Sequence, residues 1–175
     1  MKNRIVPTNQ EVLVNEHDFI VSKTDPKGRI VYANRLFMKI SGYREDELLG
    51  HQHNILRHPD MPRGLFHVLW SNIIQGRECF AFVKNLCKNG DYYWVLANIT
   101  PDYDARDQVI GYFSVRRKPS REAVDFYSGL YRQMVSAEMV AGPKDAIVAS
   151  SEVLNEAIQD QGFENYETFV FSHQT

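Results

Sequence analysis

Hydrophobic and polar positions change period several times along the chain. Residues 1–16 are mixed and polar, with Pro7 and Asn9, and read as an N-terminal arm. Phe19, Ile20 and Val21 begin a short apolar run that predicts a strand. Asp25-Pro26-Lys27-Gly28 is turn chemistry, and Ile30-Val31-Tyr32 reads as the returning strand of a hairpin. From Asn34 the spacing is helical, with Leu36, Phe37 and Ile40 on one face and Gly42 as the stop. A helical turn over 44–49 ends at Gly50. Residues 51–62 are polar and irregular, and their prolines forbid a long helix. Asp60 is placed to cap the next helix. That helix carries a stripe of Leu65, Phe66, Leu69, Trp70, Ile73 and Ile74, reaches about Gln75 and ends at Gly76.

Three strands are predicted next, over 79–86, 92–100 and 109–117. Lys88-Asn89-Gly90-Asp91 predicts a type I′ hairpin turn between the first two. In the second, Tyr93, Val95, Ala97 and Ile99 share one face, and Tyr92, Trp94, Leu96 and Asn98 the other. After Pro119 the period is helical again. Ser120 is a cap, and Val124, Tyr127, Leu130, Tyr131 and Met134 form a stripe. Gly142-Pro143 breaks that helix, a second spans 144–159, and 163–171 is short and aromatic. The order implies an α+β fold: a five-stranded antiparallel sheet with helices over one face. The crossover helices would leave a pocket against the sheet. The organisation is an arm over 1–16, a sheet-bearing sensor unit over 17–119 and a helical extension over 120–175.

Composition narrows the function. The chain has 175 residues, 43% apolar and 24% charged, enough for a packed core and too apolar for a disordered chain. Net charge is -2, without the basic excess of a general nucleic-acid binder, so no nucleic-acid partner is expected. Cys79 and Cys87 are too few for a disulfide framework and suit a reducing cytoplasm. No run approaches ~20 apolar residues, and the start lacks a signal-peptide pattern, so membrane insertion and secretion are not expected. Neither G-x-S-x-G nor a phosphate-binding glycine loop occurs, and no enzymatic activity is expected.

Segment 24–119 resembles a PAS domain. The resemblance is carried by Asp25-Pro26-Lys27-Gly28-Arg29-Ile30-Val31-Tyr32-Ala33-Asn34, by Ser41-Gly42-Tyr43 with Glu47-Leu48-Leu49-Gly50, and by Asn89-Gly90-Asp91-Tyr92-Tyr93-Trp94-Val95. A narrower similarity is to the PAS domain of bacterial aerotaxis receptors. It rests on His53-Asn54-Ile55-Leu56-Arg57-His58-Pro59-Asp60-Met61-Pro62, then Phe66 and Leu69-Trp70, then Val83-Lys84-Asn85. That resemblance implies non-covalent FAD and redox or oxygen sensing, with Asn34, Arg57, His58, Asp60, Trp70 and Asn85 lining or supporting the flavin. It also implies output by contact, to a chemoreceptor or other signalling protein. The chain departs from the family at Cys79-Phe80-Ala81, where a tryptophan and a small residue are usual, and at Leu86-Cys87, where two basic residues are usual. Those receptors continue into a membrane anchor and a signalling domain, so this chain reads as a free-standing sensor.

Each candidate has a plainer reading. Trp70, Phe66 and Phe37 supply the walls of a flat slot, or only core packing. Asn85 offers an amide to the mixed edge of a flavin, or faces solvent. Arg57 suits a diphosphate or an adenine face, or makes a surface ion pair. Asp60 is a helix cap in either case, and His58 is a flavin neighbour or bonds backbone near the prolines. Heme is a second cofactor, with His51, His53, His58 and His67 as candidate ligands. His51 and His53 also invite a metal, but no acidic or thiol cluster accompanies them. Asn54-Ile55-Leu56-Arg57 has no thiol for a light-driven flavin adduct. A PAS module without cofactor, serving only in docking or dimerisation, is the alternative from another class. The stripe after Ser120 suggests a homodimer.

Overall fold

A computed structural model describes residues 5–174. Five strands form one antiparallel sheet: β1 (Ile20–Thr24), β2 (Ile30–Ala33), β3 (Cys79–Leu86), β4 (Tyr92–Tyr103) and β5 (Val109–Arg117), in the order β2-β1-β5-β4-β3. Helices α1 (Arg35–Ser41), α2 (Glu45–Leu48) and α3 (Arg63–Ile73) fill the connection between β2 and β3. The α+β architecture expected from the pattern is the one observed.

The segment between α2 and α3 is a strap across the inner face of the sheet. Its start is tied to the first hairpin by His53 N–H donating to the Gly28 carbonyl at 2.9 Å. It then makes a 3-10 turn (His53–Leu56), and Arg57 forms an antiparallel bridge with Asn85 on the opposite edge strand. The strap thus meets both edge strands, bonding to Ile30 at the start of β2 and bridging Asn85 on β3.

The hairpin between β3 and β4 differs from expectation. A type I′ turn needs two consecutive positive φ angles. Only Gly90 has one, at 97°. Gly90 N–H donates to the Cys87 carbonyl at 3.0 Å, so the turn spans Cys87 to Gly90 and the glycine follows it. Asp60 does not cap α3. Pro62 occupies the cap position, and Asp60 instead pairs with Lys84 at 2.6 Å. Helix α3 also stops at Ile73, short of Gln75.

The outer face is covered by the chain's own ends. Helix α4 (Arg121–Asp160) is capped by Ser120, as its hydroxyl predicts, and breaks at Gly142 (φ 78°, ψ 172°) before Pro143. That backbone geometry is open to glycine and closed to most other residues. Before the break, Tyr127 stacks on Phe82 and Tyr131 on Trp94, with ring centroids 4.4 and 6.1 Å apart. Beyond the break the chain turns back along α3. Helix α5 (Tyr166–Ser172) then sets Phe171 against Phe80. The stripe from which a homodimer was expected is thus buried within one chain: Val124, Tyr127, Leu130, Tyr131 and Met134 are all in the core. The arm lies along the start of β4, where Val12 N–H donates to the Tyr92 carbonyl at 2.7 Å. Residues 1–4 of the arm lie outside the described residues.

Candidate functional site

A cavity of about 210 Å³ lies between the strap, α3 and the inner face of the sheet. Its roof is Phe66, Leu69, Trp70 and Ile73, the apolar stripe of α3. The helical period brings these four to one side. Val83, Ala97 and Ile99 form an apolar part of the floor. Tyr112 stands edge-on to Trp70, with centroids 5.6 Å apart.

Four of the eight residues singled out by sequence converge here: Arg57, Phe66, Trp70 and Asn85. Asn85 is 4% exposed, so it faces inward and not to solvent. Arg57 lies 4.0 Å over the Phe66 ring and donates to the Met61 carbonyl at 3.2 Å, so it is no free surface group. Burial lowers its pKa below the usual guanidinium value. The other four stand away from the cavity wall. Asn34 caps α1: its Oδ1 accepts from Phe37 N–H at 2.9 Å and its Nδ2 donates to the Phe19 carbonyl at 2.8 Å. Phe37 is fully buried behind the wall, edge-on to His53. His58 points away, edge-on to Tyr92, and its Nδ1 accepts from Asp60 N–H at 3.1 Å. Asp60 borders a separate cavity of about 160 Å³ between β3 and α4.

The polar part of the floor is a cluster of which sequence reading singled out only His53, as a candidate heme or metal ligand. Arg116 is 5% exposed. Its Nη1 and Nη2 both donate to Ser22 Oγ at 3.1 Å, and Nη2 lies 2.7 Å from His53 Nε2. Burial and the neighbouring guanidinium pull His53 down to about 3, so the imidazole is neutral and accepts that hydrogen bond. Burial also pulls Arg116 down to about 10. Ser114, opposite Ser22 in the strand register, has a buried hydroxyl with no partner. One signal was available: Tyr112, Ser114 and Arg116 alternate along β5, so an inward Ser114 required an inward Arg116.

Of the remaining candidates, His53 lines the cavity. His67 and His51 are exposed, and His53 Nε2 is engaged by Arg116. No group of three metal-binding side chains comes together among the described residues. Cys79 and Cys87 do not border the cavity, and burial pushes both thiols up to about 12. The unusual Phe80 points to α5, and Cys87 donates to the Ile40 carbonyl, so both departures lie off the cavity wall. No helix among the described residues is long and apolar enough to cross a membrane.

Comparison with known proteins agrees with this layout. The family model of the PAS fold matches residues 9–118. The aerotaxis receptor of Escherichia coli (strain K12) is 36% identical over 127 residues, 73% of this chain and 25% of that one. A nitrogen fixation regulatory protein of Klebsiella pneumoniae is 26% identical over 105 residues, 60% of this chain and 21% of that one. The chain thus spans a quarter or less of these relatives' lengths. Among solved structures, a light-oxygen-voltage domain studied with a flavin analogue has a TM-score of 0.55 at 24% identity, covering 62% of this chain and 82% of that one. The dark structure of the Aureochrome1 light-oxygen-voltage domain has a TM-score of 0.54 at 24% identity, covering 69% and 86%.

Proposed function

The chain belongs to the PAS-fold family, and on that footing we propose that it is a cytoplasmic redox or oxygen sensor that holds FAD non-covalently under α3. The observation that carries the reading is the two-sided character of the cavity. Its roof is flat and aromatic, and its floor holds polar groups with spare hydrogen-bonding capacity. A dry, purely structural void would leave the Ser114 hydroxyl without a partner, at a cost of roughly 1–3 kcal/mol. A ring with oxygen and nitrogen at one edge satisfies it. Phe66 and Trp70 would cover one ring face, and Asn85, Ser114 and Arg116 would meet its polar edge. The cavity is below the roughly 300–1,000 Å³ of a cleft that encloses a whole drug-sized ligand. It suits the ring system and leaves the nucleotide outside, toward the exposed Gln52 and Asn54.

The bound flavin would supply reversible electron uptake. The protein's part is to orient the ring, exclude water and convert a change of charge into a change of contacts. The outer-face helices are the elements through which such a change would reach a signalling partner. The identity to an aerotaxis receptor favours a chemoreceptor or related protein in that role. The buried, unpaired Cys79 and Cys87 agree with a reducing compartment.

The test is an absorbance spectrum of the purified chain, before and after incubation with FAD. Flavin bands bleached by dithionite and restored by air are expected. Trp70→Ala is expected to retain FAD at least tenfold less tightly in equilibrium dialysis. A colourless chain that takes up no FAD overturns the reading and leaves a cofactor-free docking module. A Soret band would move it to heme.

A further inference from the structure

Among the described residues, Arg116 is a buried cation without an anion. Burial and the Tyr93 phenol are what act on it, and no carboxylate does. The side chains around it come from four elements: Ser22 on β1, His53 on the strap, Phe37 on α1 and Tyr93 on β4. All four are neutral. His53 is held so by the same burial, and Phe37 offers only a ring face 5.6 Å away. The three hydrogen bonds to Ser22 and His53 use three of the five guanidinium donors, which leaves two. Removing a charge from water costs several kcal/mol, and an opposite charge placed beside it recovers part of that. Arg116 borders the cavity, and so does the unpartnered Ser114 hydroxyl. The missing anion therefore has one place to sit.

We propose that Arg116, held by Ser22 and His53 and joined by Ser114, seats the electron-rich edge of the bound ring and favours its reduced, anionic form over its oxidised form. This rests on the flavin reading above. On reduction the isoalloxazine takes two electrons from the reductant and one proton from solvent, giving a hydroquinone that carries one negative charge. No bond to the protein forms or breaks, and Arg116 neither gives nor takes the proton. Its fixed charge lies where charge develops, so the reduced form gains more than the oxidised form.

The experiment is a dithionite titration of the full chain loaded with FAD, against dyes of known potential, for wild type, Arg116→Lys and Arg116→Met. Arg116→Met is expected to weaken reduced FAD at least tenfold relative to oxidised FAD, lowering the two-electron midpoint by about 30 mV or more. Arg116→Lys keeps the charge and is expected to fall less. A midpoint unchanged in Arg116→Met overturns the proposal. A second measurement needs no variant. The wild-type midpoint is followed with pH beside free FAD, and the one-proton dependence is expected to persist to lower pH in the protein. A bound hydroquinone that takes its second proton at the same pH as the free one overturns the proposal. If wild type takes up no FAD, the flavin reading falls and this inference falls with it. If FAD binds and neither readout moves, only the inference falls.

Discussion

His53 and His58 lie on the strap five positions apart, the first half-buried beside Arg116 and the second buried beside Lys84. Burial, reinforced by the cation, pulls His53 down to about 3 and His58 down to about 4. In the unfolded chain both titrate near 6.5. Between about 4 and 6.5 the unfolded chain therefore binds two protons that the folded chain refuses. Stability is full above this window and falls as pH drops through it, with a slope approaching about 2.7 kcal/mol per pH unit. Urea midpoints measured from pH 7.5 to 4.5 check this. His53→Gln with His58→Gln is expected to flatten the curve, and a flat wild-type curve would contradict it. At this scale the sequence names residue types and leaves their environment open. Arg57, Trp70 and Asn85 were legible as candidates through the family resemblance, and Phe66 as an aromatic on the apolar stripe of α3. Arg116 was not, because an arginine near a strand end usually faces water.

Helix α3 roofs the cavity yet has no cap of its own. Its first N–H groups find their acceptor 75 residues away, where Glu138 Oε1 takes Arg63 N–H at 2.6 Å and Gly64 N–H at 3.1 Å. A carboxylate at a helix N-terminus is stabilising both as an acceptor and through the helix dipole. Glu138→Ala is expected to cost about 1 kcal/mol in urea denaturation. One position on, Gly64 gives α4 its close approach. A Cβ there would stand 2.5 Å from Ser150 Oγ and 3.2 Å from the Ser151 backbone nitrogen. Helix propensity alone favours alanine by about 1 kcal/mol. Overpacking costs about 1–3 kcal/mol and outweighs it, so Gly64→Ala is expected to lower the urea midpoint. Adding Ser150→Gly is expected to restore part of the loss. A more stable Gly64→Ala would contradict the packing. Element positions were legible from period and turn residues. The source of this cap was not, because Asp60 and Glu138 offer the same carboxylate and only tertiary distance chooses between them.

The whole molecule is a sheet with both faces covered by one chain. The inner face carries the cavity, and the outer face carries α4 and α5 against Phe80, Phe82 and Trp94. Tyr131 also donates its hydroxyl to the Phe82 carbonyl at 2.7 Å. Removing residues 120–175 would bare this aromatic face, and contiguous patches of that kind drive association. Light scattering is expected to find 1–175 monomeric at micromolar concentration and 1–119 self-associated. A monomeric, well-dispersed 1–119 would show that the extension is not the cover of this face.

Local pattern by itself determined the order of strands and helices and the apolar stripes that had to be buried, because period and turn chemistry act over a few residues. It also determined the family resemblance, through short runs such as Arg57-His58-Pro59-Asp60-Met61-Pro62. It did not determine what each stripe is buried against. The stripe after Ser120 is equally served by a second subunit or by the chain's own sheet, since burial of apolar area has no direction. Tertiary structure decided that, and it decided that Arg116 stands in a cavity without a counter-ion. Charge in a protein is governed by burial and by neighbours distant in sequence, and neither is written in the residue itself.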